Sequence, residues 1–132
     1  MNISGKFEVN LQPLDAYTSG DNGNQLGRMS IDKTFHGELS ATSKGEMLSA
    51  RTTTPGSAGY VAIEQVTGSL AGKYGSFVLQ HFGMMNNGNN RLILEVVPNS
   101  GTEELKTLSG EMIIRIEDGV HYYDFEYQFN NS

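Results

Sequence analysis

The sequence predicts an all-β fold, a closed antiparallel barrel of about eight strands with at most one short helical turn. Nearly every segment alternates apolar and polar residues with period two, turn residues separate the segments, and no amphipathic helix stands out. Hairpin-linked strands with no covering helix form a sandwich or a barrel, and closure removes exposed edges. The barrel is favoured because each strand has one clearly apolar face to line an interior. Eight strands enclose space for side chains or one small ligand.

The first strand sets Ile3, Gly5, Phe7, Val9 and Leu11 against Ser4, Lys6, Glu8 and Asn10, and ends at Pro13. After a loop through Asp21-Asn22-Gly23, the second places Met29, Ile31, Phe35, Gly37 and Leu39 opposite Arg28, Ser30, Asp32, Thr34, His36 and Glu38. It is expected to turn near Ser43-Lys44 into a third strand ending before Pro55. That register pairs Leu39 with Leu48 and Ala41 with Glu46, sending Glu46 inward. Strands four and five, 59–71 and 76–85, meet at Gly72-Lys73-Tyr74-Gly75. A Lys73-Tyr74 loop pairs Leu70 with Phe77 and Val66 with His81. Asn87-Gly88 starts the sixth strand and sets Leu94 beside His81. Ser100 and Glu103 have capping-box spacing ahead of Leu105, enough for about one helical turn. Asp118-Gly119 joins the last two strands, pairing Ile116 with His121, Ile114 with Tyr123, Met112 with Phe125 and Gly110 with Tyr127.

At 132 residues the chain suits one domain over residues 1–132, long enough to bury its own core. The absence of cysteine excludes disulfides, thiolate nucleophiles and cysteine-ligated metals. A net charge of −6 and a pI near 4.9 repel phosphate backbones, so nucleic acid is not an expected partner. Met1 leads directly into an alternating segment, with no signal-like or membrane-spanning apolar run, and the chain is read as cytoplasmic.

Two motifs fail on inspection. His36-Gly37-Glu38 has the spacing of a zinc deaminase site without its cysteine ligands. Gly72-Lys73 lacks the Ser/Thr of a phosphate-binding loop and joins two strands instead of opening a helix. No metal or cofactor is expected: His81 and His121 have inward parity, whereas His36 lies on a polar face.

Inward polar residues are the candidates for chemistry. Glu64 and His81 become diagonal neighbours on an otherwise apolar face, and Glu46, Tyr60, His121 and Tyr123 share its inward parity. A buried carboxylate beside an imidazole can serve as a general acid/base pair, with Glu64 and His81 in the catalytic roles and the other four contacting a ligand. The same pair can also be purely structural, each partner satisfying the other.

The strings Thr42-Ser43-Lys44-Gly45-Glu46-Met47, Gly56-Ser57-Ala58-Gly59-Tyr60-Val61-Ala62, Gly75-Ser76-Phe77-Val78-Leu79-Gln80-His81, Val97-Pro98-Asn99-Ser100-Gly101-Thr102 and His121-Tyr122-Tyr123-Asp124-Phe125 resemble an uncharacterised bacterial family, domain-of-unknown-function family 3224. The resemblance implies an allene-oxide-cyclase-like β barrel and assigns no activity. Related barrels of known function, the plant allene oxide cyclases and dirigent proteins, hold a reactive apolar molecule and steer its ring closure or coupling.

Three functional readings follow. In the first, the barrel binds an apolar or aromatic metabolite and performs cofactor-free proton transfer or cyclase/isomerase-like chemistry. The second keeps the cavity but makes the protein a non-enzymatic carrier. The third is a filled barrel acting as an oligomeric interaction module. The outward faces of strands four to six carry Val61, Ile63, Val78, Phe82, Met84, Ile93 and Val97, too apolar for water, which predicts a homo-oligomer with a dimer favoured.

Overall fold

A computed structural model describes residues 1–131. Its eight strands are β1 (Asn2–Leu14), β2 (Gln25–Phe35), β3 (Leu39–Arg51), β4 (Ala58–Leu70), β5 (Lys73–Asn86), β6 (Asn89–Val96), β7 (Leu108–Glu117) and β8 (Val120–Phe129). Each pairs antiparallel with the next, and β8 returns to β1 to close the barrel. The predicted alternation therefore does what it should: apolar residues line the inside along every strand. Among the described residues no helix is long and apolar enough to cross a membrane.

Positive-φ residues decide where the hairpins turn. Asn87-Gly88 and Asp118-Gly119 form their expected two-residue loops, and the β5–β6 and β7–β8 registers follow, including His81 opposite Leu94 and Gly110 opposite Tyr127. Two other turns differ from the sequence expectation. The β4–β5 loop is Ala71-Gly72, with φ of 49° and 85°, so Leu70 faces Lys73 rather than Phe77. A two-residue loop of this type needs left-handed backbone at both positions; Gly72 adopts it freely, whereas Lys73-Tyr74 would force it on two bulky residues. The β2–β3 connection is His36-Gly37-Glu38, with Gly37 at φ 108°. Ser43-Lys44 has no glycine to turn on and stays inside β3, facing Lys33 and Asp32 of β2. The helical turn is a 3-10 segment, Glu103–Leu105, with Thr102 rather than Ser100 at its N-cap position and no side-chain cap. Ser100 Oγ instead accepts a hydrogen bond from the Val78 N–H.

The two ends of the barrel differ. At the end carrying the 36–38 and 71–72 turns the interior is solid: Phe35, Leu39, Leu70, Phe77, Leu108, Phe125 and Tyr127 belong to one buried cluster. Leu105 of the 3-10 turn is part of that cluster and packs over Gly75, where a Cβ would lie 2.3 Å from the Thr102 carbonyl oxygen. Tyr123 lies over Gly5 and ties the 36–39 turn down, donating to His36 O at 2.8 Å and accepting from Leu39 N at 3.2 Å. At the opposite end the inward-facing Met29, Met47, Tyr60 and His121 are only half-buried, and Leu11, Met85 and Leu92 are exposed. The β6–β7 seam is thin, with Glu95 opposite Glu111 as its one registered pair among the described residues.

Candidate functional site

Between the solid half and the open end lies a layer of buried polar side chains. β4 supplies Glu64, 0 % exposed, β5 supplies His81 at 4 %, β2 supplies Lys33 at 7 %, and β3 supplies Ser43. Gly45 of β3, registered opposite Glu64, lets the two strands approach closely enough that a Cβ there would sit 2.0 Å from the Ile63 carbonyl oxygen.

Three donors converge on the Glu64 carboxylate. Oε2 accepts from Lys33 Nζ at 2.8 Å and from His81 Nε2 at 2.5 Å, and Oε1 accepts from Ser43 Oγ at 2.6 Å. Burial opposes ionisation of Glu64. The His81 hydrogen bond, the Lys33 charge and the bonds from Lys33 and Ser43 outweigh it and hold the carboxyl down at about 2. Glu64 is therefore a carboxylate at neutral pH. The Lys33 ammonium also lies 5.1 Å from the centre of the Phe7 ring and 5.8 Å from that of Phe35, so aromatic faces share in solvating it. Phe7 in turn packs against His121, with ring centres 5.3 Å apart.

Nε2 of His81 donates to Glu64, and in the neutral imidazole the other ring nitrogen is an acceptor. Nδ1 faces the Tyr60 hydroxyl at 3.4 Å, a long contact. Tyr60 lies on the open-end side of the cluster, half-buried, its ring over Gly83 of β5. Burial, and secondarily the Glu64 charge, raise the Tyr60 pKa, so the phenol stays protonated. Chemically the arrangement is a carboxylate–imidazole dyad with a neutral phenol beside the second ring nitrogen.

Of the sequence-predicted residues, Glu64, His81 and Tyr60 come together. His121 reaches the layer only through Phe7. Tyr123 is inward and fully buried, yet its hydroxyl is engaged with the 36–39 turn, away from Glu64. Glu46 is misplaced: with β3 running unbroken through Ser43-Lys44, it points outward and pairs with Arg28 at 2.6 Å. The sequence reading also missed Lys33 and Ser43. Lys33 shares the parity of the inward Ile31 and Phe35, a signal that was available. Ser43 was hidden by the turn assigned to it.

Among curated proteins nothing matches the chain. A crystal structure of a protein of unknown function from Shewanella oneidensis MR-1, of the DUF3224 family, superposes with a TM-score of 0.98. It is 59 % identical, covering 100 % of this chain and 98 % of that one. The family model described as "Protein of unknown function (DUF3224)" matches residues 3–127. The chain, an eight-stranded closed β barrel, thus belongs to the DUF3224 family.

Proposed function

We propose that the open end of the barrel binds an apolar or aromatic small molecule, and that His81, oriented by Glu64, acts on it as a general base without a cofactor. The observation that carries this reading is the His81 ring: Nε2 is committed to a fully ionised carboxylate, while Nδ1 meets only a long contact from Tyr60. A substrate carbonyl or hydroxyl could replace that contact. His81 Nδ1 would take a proton from a carbon beside the substrate's carbonyl, and the Tyr60 O–H would donate to the enolate oxygen that forms. Glu64 is a positioning residue in this scheme, and the methionine-rich rim supplies adaptable apolar walls. A carrier using the same site is the same reading without the proton transfer.

Two probes test it. In NMR titration with 2-naphthol, a planar aromatic carrying one hydroxyl, shifts are expected at His81, Tyr60, Met47 and Leu92. Shifts confined to the outer face, or none, would contradict the site. With 2-tetralone in deuterated water, α-deuterium incorporation should exceed the buffer rate and fall at least about tenfold in His81→Gln. Binding without exchange would leave a carrier.

A further inference from the structure

We infer that the protein is a twofold dimer in which the outer faces of β4–β6 pack against those of a second copy, with the symmetry axis running across the strands. The registers align outward residues into rows. One row is Leu48–Val61–Phe82–Ile93, each residue directly opposite the next on β3, β4, β5 and β6. These four side chains, with Ile63 and Met84, are between 38 % and 55 % exposed. Val78 and Val97 do not belong to the patch. They are half-buried where the segment after β6 pairs back onto β5, the Val97 N–H donating to Val78 O. An apolar row this continuous on one sheet face is an interaction surface.

Charge selects a second copy of this chain as the occupant and fixes how it lies. Two residues towards one end of β6 stands Glu95, and two towards the other stands Arg91. Among the described residues neither has an ion-pair partner in its own chain: Glu95 faces the like-charged Glu111 across the seam, and Arg91 lies over the Phe82 ring at 5.5 Å. A twofold axis along the Leu48–Ile93 row reverses the strand direction of the partner, so each Glu95 meets the second copy's Arg91 and the apolar row meets itself. The same rotation brings Ile63 over Gly59, the one position of the face without a side chain. An axis parallel to the strands would instead set Glu46 against Glu95, acid on acid, and is disfavoured. The interface is isologous, and both Arg91–Glu95 contacts form at once.

Sedimentation velocity at micromolar concentration on the full chain tests this. The wild type should run as a dimer, and Phe82→Glu should raise the dissociation constant more than about thirtyfold with an unchanged far-UV spectrum. Arg91→Glu should weaken association about tenfold, since each change acts twice, and adding Glu95→Arg should restore it. A monomeric wild type overturns the inference. Dissociation by Phe82→Glu with no rescue by the charge swap overturns the proposed axis.

Discussion

Glu64 and Lys33 depend on each other inside the barrel, so removing either strands the other. Lys33→Met leaves a buried carboxylate without its cation and should cost about 3–5 kcal/mol in urea denaturation, with Glu64→Gln costing a similar amount. The double substitution Lys33→Met/Glu64→Gln should recover part of this, because the remaining groups are neutral. If the double variant is as unstable as the sum of the singles, the pair is not coupled. For this reason a lone Glu64→Gln cannot report on function, and the informative comparison is His81→Gln against wild type in the 2-tetralone assay. At this scale Glu64 and His81 were legible as inward polar residues from strand parity alone. Lys33 has the same parity, although lysine is ordinarily an exposed residue.

Among the elements, the two misplaced turns had very different consequences. The β4–β5 hairpin is shifted by four residues from the sequence register, since Leu70 meets Lys73 and not Phe77. An even shift preserves which side chains face inward, and Glu64 and His81 remain diagonal neighbours: Glu64 sits opposite Leu79 and His81 opposite Ala62. Placing a turn at Ser43-Lys44 was costlier. In the unbroken β3, Leu39 and Leu48 are separated by an odd number of residues and lie on opposite faces, so Leu48 and Glu46 both move outside. Glycine-asparagine and aspartate-glycine turns were readable because their chemistry requires the backbone they adopt. Ala71 was not, because alanine rarely takes a positive φ. That strain is testable. Ala71→Asn supplies the residue preferred at the first position of such a loop and should stabilise the protein by about 0.5–1 kcal/mol. Destabilisation in thermal unfolding would argue against this register. Conversely, Gly83→Ala places a methyl group 2.2 Å from the Tyr60 ring and should cost about 1–3 kcal/mol while shifting Tyr60 resonances.

Across the whole molecule, the sealed aromatic half supplies the packing and the polar layer supplies a pH dependence. Glu64 has a folded pKa near 2 against an ordinary value of 4.5. Its contribution is thus fully present above about pH 4.5 and is lost as the pH falls towards 2, a change of about 3 kcal/mol. Urea midpoints at about pH 6 and pH 3 should differ less in the Lys33→Met/Glu64→Gln variant than in wild type. Equal differences would mean that other carboxylates dominate. The barrel itself was legible because period-two alternation runs through every strand, whereas the asymmetry of its ends depends on Leu105 and Tyr123 reaching across long sequence distances.

In the proposed reaction Glu64 commits Nε2 of His81 and leaves Nδ1 free towards the open end. Long-range proton–nitrogen correlation NMR of the His81 ring at neutral pH tests this most directly. It should find the proton on Nε2 and Nδ1 bare, with the Nε2 proton shifted far downfield by its bond to Glu64. A proton on Nδ1, in the other neutral tautomer or in an imidazolium, would contradict the proposed base.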